Sequence, residues 1–328
     1  MSVRPLFILS LPRSGSTLLQ RMLATHPEVA TASEPWLLLP QPYALRERGA
    51  AAEYGHRTAA RAISDFADSL PGGRDDYLAE VRRSALALYE RAAGDAAWFL
   101  DKTPRYHLVV DEIMALFPDA RFVFLWRNPL AVAASMIESF GHGRWNLDRY
   151  EVDLHGGLER LVAAHERRDP RAVAVRFEDV VADPAGGTRP VFELLGLDPA
   201  DATAGAFADT SLNGRMGDRT GTAAYTEISG EPVDRWRATM ANPLRKRWCA
   251  TYLRAVGPEA LAAMGYDFDE LTGEVAGLRT RPAGLASDVA RRTYGYGRRR
   301  ASHRLLARGS HGAPAATPPT PTGSGAQR

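Results

Sequence analysis

Cysteine is all but absent from this chain: Cys249 is the only one in 328 residues. No intramolecular disulfide can form, so the small disulfide-stapled folds of secreted proteins are excluded. Long apolar runs are missing too. Nothing approaches the roughly eighteen residues that mark a membrane-spanning helix. The first apolar run, residues 6–11, is broken by Pro12-Arg13 and is too short for the core of a secretion signal. A soluble, cytoplasmic protein is expected. The eight His are scattered, without metal-ligand spacing, and no metal is expected. Lysine is the most telling scarcity: of 41 basic residues only Lys102 and Lys246 are Lys.

Charge is unevenly spread. The net charge is only +2, yet ten Arg and a single Asp fall within residues 279–328. The body of the chain is therefore mildly acidic and its end strongly basic. Residues 313–328 are rich in Pro, Thr, Gly and Ser, a composition that cannot bury a core. Two parts follow: a folded domain over 1–278 and a basic extension over 279–328, expected to be largely disordered. Residues 291–308 can form a basic helix, read here as a solvated extension with no nucleic acid expected as partner.

In the body, short apolar runs alternate with helical patterns. Residues 122–126, Phe-Val-Phe-Leu-Trp, are apolar without alternation, as in a parallel strand covered on both faces. Further strands are expected over 6–11, 29–33, 98–100 and 172–177. Helices are expected over 50–70, 75–93, 106–117, 129–140, around 154–162, from Asp183 to Gly196, and over 243–256 and 258–264. The fold class is α/β: a P-loop-like three-layer fold, with a central, mainly parallel sheet flanked by helices. Ligands of such sheets bind at the carboxyl ends of the strands. That edge collects Arg13, Glu34, Lys102, Arg127 and Arg176, a set suited to a multiply anionic ligand.

Two segments carry anion chemistry. Pro12-Arg13-Ser14-Gly15-Ser16-Thr17-Leu18 lies between the first strand and the first helix. Unpaired N–H groups at a helix start and the helix dipole favour an anion there. The small residues let it approach, the hydroxyls add donors and Arg13 adds charge. This is not a Walker A loop, because Ser10 and Ser16 stand where that motif needs Gly and Lys. In the second segment Arg127 ends a strand and Ser135 follows eight residues on, a pair able to share a phosphate. A P-loop kinase wants an Asp at the end of a buried strand to hold Mg²⁺, and here that strand ends in Arg127.

With these motifs in order, the sequence resembles the sulfotransferases that use 3′-phosphoadenosine 5′-phosphosulfate (PAPS). Residues 11–19 resemble their 5′-phosphosulfate loop, and Arg127 through Ser135 their 3′-phosphate segment. Residues 175–184, with Phe177-Glu178-Asp179, are similar to their "(Y/F)EDL…P" stretch. Asp101-Lys102-Thr103-Pro104 resembles the segment after the third core strand, and Trp236 follows the late polar loop as in the family. The likeness covers about residues 5–265 and lies closer to the tyrosylprotein-like and bacterial branch than to the cytosolic steroid and phenol branch.

The resemblance implies transfer of SO₃ from PAPS, as co-substrate, to a hydroxyl or amine of a small molecule, glycan, lipid or peptide. Arg13 and Lys102 are the candidate cations on the sulfonate and the leaving phosphate. Pro12 to Leu18, Arg127, Ser135 and Phe177 are the candidate nucleotide contacts. At Phe177 many relatives carry Tyr, so stacking or packing replaces a hydroxyl contact. Two residues compete as base. Ser33-Glu34-Pro35 resembles the region that supplies a Glu in the tyrosylprotein-like branch. The cytosolic branch uses a His two residues beyond its Lys, where this chain has Pro104; His107 is the rival, five residues on. Residues 213–221 are placed to close over the nucleotide, and residues 50–93 and 141–150 to shape the acceptor pocket. The competing reading is a P-loop kinase acting on a small molecule.

Overall fold

The computed structural model describes residues 3–202 and 231–308. Five strands form one sheet in the order β2-β3-β1-β4-β5. They are β1 (Arg4–Leu9), β2 (Val29–Thr31), β3 (Trp98–Asp101), β4 (Arg121–Trp126) and β5 (Ala172–Arg176), and every pairing is parallel. The expected α/β class is therefore observed. Alternation along β1 explains the layers. Phe7 and Leu9 face one core with Phe99, Phe122 and Phe124, while Leu6 and Ile8 face a second with Leu100, Val123 and Leu125. Both faces are apolar because both are covered.

Helix α1 (Ser16–Leu23) packs on the second face through Leu18, Leu19 and Leu23. The next three helices run between β2 and β3: α2 (Pro40–Ala44), α3 (His56–Asp68) and α4 (Arg74–Ala93). The helix expected over 50–70 begins only at His56, after Gly55 at φ 74°. α4 lays Ala85, Tyr89 and Ala93 on the first face. After β3 the expected helix over 106–117 is split. A 3₁₀ turn (Pro104–Leu108) precedes α5 (Val110–Leu116), because Val109 leaves helical geometry at φ −139°.

Helix α6 (Pro129–Gly141) starts on an Asn128 cap, whose side chain accepts from the Leu130 N–H at 2.9 Å, with Pro129 in the first turn. A π-helical turn (Val152–Gly157) leads into α7 (Leu158–Glu166). β5 ends one residue earlier than expected, since Phe177 opens α8 (Phe177–Ala182); α9 (Pro184–Leu195) follows.

Beyond the undescribed stretch come α10 (Glu231–Thr239), α11 (Pro243–Val256), α12 (Pro258–Ala263), α13 (Phe268–Gly277) and α14 (Leu285–Arg308). Within 279–328, α14 is helical. Its Asp288 is buried and accepts from Arg245 Nε at 2.6 Å, Asn242 Nδ2 at 2.6 Å and the Trp145 N–H at 3.1 Å. One carboxylate thus ties three segments together, which composition alone does not reveal. Residues 313–328 and 213–221, for which disorder and closure were expected, lie outside the described residues. Among those described, no helix is long and apolar enough to cross a membrane.

Removing Asp288 would strand the buried Arg245 guanidinium. Asp288→Ala is therefore expected to cost about 3–5 kcal/mol, read as a lowered urea midpoint at unchanged slope.

Candidate active site

The sheet order places the site. From β1 the chain moves to β2 and β3 on one side, then crosses to β4 and β5 on the other. Loops leaving the strands on either side of that reversal diverge and open a crevice at their carboxyl ends. The β1–α1 and β4–α6 loops meet there: Arg127 Nη1 donates to the Arg13 carbonyl at 2.8 Å, and Arg13 Nε donates to Ser135 Oγ at 3.2 Å. The two anion segments read from the sequence are thus one structure.

Backbone conformation shapes the first loop. Arg13 sits at φ 71° and Gly15 at φ 88°, both in the left-handed region. Gly15 is also the residue before α1, and no side chain caps that helix. Its first N–H groups therefore face the loop. A Cβ on Gly15 would lie 2.2 Å from Phe177 Cδ2. Phe177 is buried, with the Arg127 guanidinium carbon 4.3 Å above its ring. Its ring thus meets both the first loop and Arg127. Ser14, Ser16 and Thr17 are buried in the turn, Leu18 belongs to the core, and Pro12 is half-buried.

A buried ion pair lies beside this loop. Lys102 follows β3, and its Nζ donates to Glu34 Oε1 at 2.8 Å and Thr17 Oγ1 at 3.3 Å. Its side chain is 1% exposed and that of Glu34 10%. Trp36 Nε1 donates to the other Glu34 oxygen at 3.2 Å. So Glu34, Lys102 and Thr17 are brought together, with Arg13 on the same loop as Thr17. His107 is not. It is buried against Asp153, 2.8 Å away, with Gly157 packed on its ring.

Several contributors escaped the sequence reading. Glu178, inside the recognised Phe-Glu-Asp stretch, accepts from the Asn128 N–H at 3.0 Å and the Tyr266 hydroxyl at 2.7 Å, and so fixes the turn after Arg127. Phe140 is 45% exposed, lies 5.7 Å from the Arg13 guanidinium carbon and stacks on Tyr150. Trp98 and Trp145 are buried, while Trp36 bonds to Glu34 at the site. Asp101 was passed over beside Lys102. It is fully buried and accepts from Tyr89, Tyr106 and Thr103.

A family model described as the sulfotransferase family matches residues 5–201. The chain belongs to the sulfotransferase family. Among its relatives is the nodulation protein NoeE of Sinorhizobium fredii (strain NBRC 101917 / NGR234), 30% identical over 288 residues, which are 80% of this chain and 65% of that protein. A protein-tyrosine sulfotransferase of Drosophila melanogaster is 26% identical over 207 residues, 60% of this chain and 39% of that one. A bacterial protein and a protein-tyrosine sulfotransferase among the relatives are consistent with the tyrosylprotein-like and bacterial branch that the sequence resembles. The chain spans less than two thirds of the length of these curated relatives. The fold is shared with a sulfotransferase domain from the curacin biosynthetic pathway, at a TM-score of 0.52 and 20% identity, over 81% of this chain and 98% of that domain.

Two outcomes are expected of this sulfotransferase's loop and its neighbour. Gly15→Ala meets both a disfavoured φ and the Phe177 ring, and should lower the urea midpoint of the folded chain. Burial pushes the Asp101 carboxyl up to about 6, against the pull of its hydroxyl partners and Lys102. The folded state then holds this proton more tightly than the unfolded state does. The cost of ionising Asp101 is absent below about pH 4 and complete above about pH 6. The stability of Asp101→Asn relative to the natural protein should therefore rise by about 3 kcal/mol between those limits, measured by urea titration at each pH.

Proposed function

We propose that the chain moves a sulfuryl group from PAPS to an acceptor hydroxyl or amine, with Glu34 as general base. The observation that carries this reading is the Lys102 ammonium, held 2.8 Å from Glu34 and 3.3 Å from Thr17 at the lip of the anion loop. A base and a mobile cation then stand together where the loop presents its donors.

The residues present fit the donor nucleotide. The uncapped start of α1 and the hydroxyls of Ser14, Ser16 and Thr17 suit a 5′-phosphosulfate. Arg127 and Ser135, both bonded to Arg13, suit a second phosphate. In the transfer, Glu34 takes the acceptor proton as the acceptor atom bonds to sulfur. The bond from sulfur to the phosphate oxygen breaks, and adenosine 3′,5′-bisphosphate leaves with the electron pair. Lys102 and Arg13 offset the charge on the sulfonate and the departing phosphate. As Lys102 turns towards the sulfonate it loosens its hold on Glu34, which leaves the carboxylate free to accept a proton. No step in this scheme calls on a metal. A sugar, lipid, small-molecule or peptide hydroxyl is compatible with it, and the protein-tyrosine sulfotransferase relative makes a tyrosine hydroxyl one acceptor to test.

Incubation with PAPS and an acceptor panel should give products heavier by one sulfo group, with matching release of the bisphosphate. Glu34→Gln should lower kcat by about 10²–10⁴-fold with bisphosphate affinity little changed. Undiminished turnover would remove Glu34 from the role of base. Lys102→Met should raise the barrier by about 2–4 kcal/mol, read from single-turnover rates.

A further inference from the structure

The segment that carries Glu34 is held by an unusual arrangement. Trp36, two residues on, stands at φ 55°, a left-handed conformation that a bulky residue adopts only when its surroundings impose it. Two backbone N–H groups of the segment end on side-chain hydroxyls. The Trp36 N–H donates to Thr103 Oγ1 at 3.2 Å, and the Leu38 N–H to the Tyr106 hydroxyl at 3.3 Å. Each hydroxyl has one proton of its own. Thr103 gives it to Asp101 Oδ1 at 3.2 Å, and Tyr106 gives it to Asp101 Oδ2 at 2.8 Å. Tyr89, from α4, donates to Oδ2 as well, at 2.6 Å.

We propose that Asp101 is a positioning residue, which acts through Thr103 and Tyr106 to fix residues 34–38 and thereby the Glu34 carboxylate against Lys102. It touches neither Glu34 nor the donor loop. Its effect lies in direction. An ionised carboxylate only accepts, so it turns both hydroxyl protons inwards and leaves both hydroxyl lone pairs facing the backbone N–H groups. The polarity of the whole chain of bonds is set at one buried point. An apolar residue would fill the same space at lower electrostatic cost, but it would leave the hydroxyls free to turn. The groups facing Asp101 are consistent with this: Tyr89 on α4, Tyr106 and Thr103 beyond β3, and the neighbouring cation Lys102. Burial raises the carboxyl and the three hydroxyls oppose that rise, so the donors hold the charge in place. Lys102 is the next residue along β3's exit. The same four-residue stretch, 101–104, therefore presents the cation on one side of the backbone and anchors the base's segment on the other.

The inference rests on the reading of Glu34 as base, and the test separates the two. Asp101→Asn, Thr103→Val and Tyr106→Phe are compared with Thr103→Ser, which keeps the hydroxyl. The first three should lower kcat, by roughly 10²-fold where Glu34 is misplaced by about 1 Å, with bisphosphate affinity unchanged; Thr103→Ser should restore the rate. Hydrogen exchange reads the positioning without reference to chemistry. The Trp36 amide should lose protection in Thr103→Val, the Leu38 amide in Tyr106→Phe, and both in Asp101→Asn. In a Glu34→Gln background, Thr103→Val should cost no further turnover, because both changes act on one group. Protection retained in all three variants, or bisphosphate affinity falling in step with kcat, would overturn the proposal. So would additive losses in the double variant, while leaving Glu34 as base. Should Glu34→Gln alone keep full turnover, the base assignment falls, the link from Asp101 to catalysis falls with it, and the amide protections still decide whether Asp101 holds the segment.

Discussion

A buried ion pair sets the terms for everything at the candidate site. Lys102 and Glu34 come from the ends of β3 and β2, and both are nearly closed to solvent. Charges so placed cost several kcal/mol each to desolvate and must be paired and hydrogen-bonded. Thr17 completes the shell of the ammonium and Trp36 that of the carboxylate. Three segments remote in sequence are thereby forced into one register at the mouth of the sheet. The strands can hold that register because each is apolar on both faces and locked between two cores.

The near absence of lysine now has a structural setting. Arginine serves where geometry is fixed. Arg13 and Arg127 lie across each other's loops, and Arg127 covers the Phe177 ring. A planar, delocalised fork suits such stacked and braced positions. The position beside Glu34 holds one of only two lysines in the chain. A compact ammonium on a flexible stem can exchange one oxygen partner for another without dismantling a network, which a braced guanidinium cannot do. The chemistry of the side chain matches the movement that each place requires.

Much of this was legible in the sequence, for identifiable reasons. The parallel sheet was visible because a strand covered on both faces, such as Phe122 to Trp126, must be apolar throughout. The anion loop was visible because small residues, hydroxyls and one Arg follow a strand and precede a helix. Arg127 and Ser135 were visible as a spaced pair, and the structure supplied the fact that Arg13 joins them. What stayed hidden depends on pairing across the fold. Asp101 reads as an ordinary acid beside a lysine until Tyr89 and Tyr106 are seen to converge on it. Asp288 reads as the one acid in a basic tail until Arg245 is found beside it. His107 looked available because spacing gives no warning that Asp153, far along the chain, has claimed it. Periodicity also overran the ends of helices where a single residue, Gly55 or Val109, leaves helical geometry.

The contact between Gly15 and Phe177 joins the first loop of the chain to the helix that follows the last strand of its sheet, and Arg13 meets Arg127 across another long separation in sequence. Contacts of such long range form late, because the entropy of closing large loops must be met before they can reward it. The geometry of the β1–α1 loop therefore depends on long-range contacts as well as on local turn preference. A nascent chain that has emerged only as far as the residue after β3 already contains every residue from Pro12 to Leu18, together with Glu34 and Lys102. It has the loop's composition without the ring packed against it, and meets that ring only once the segment after β5 has docked.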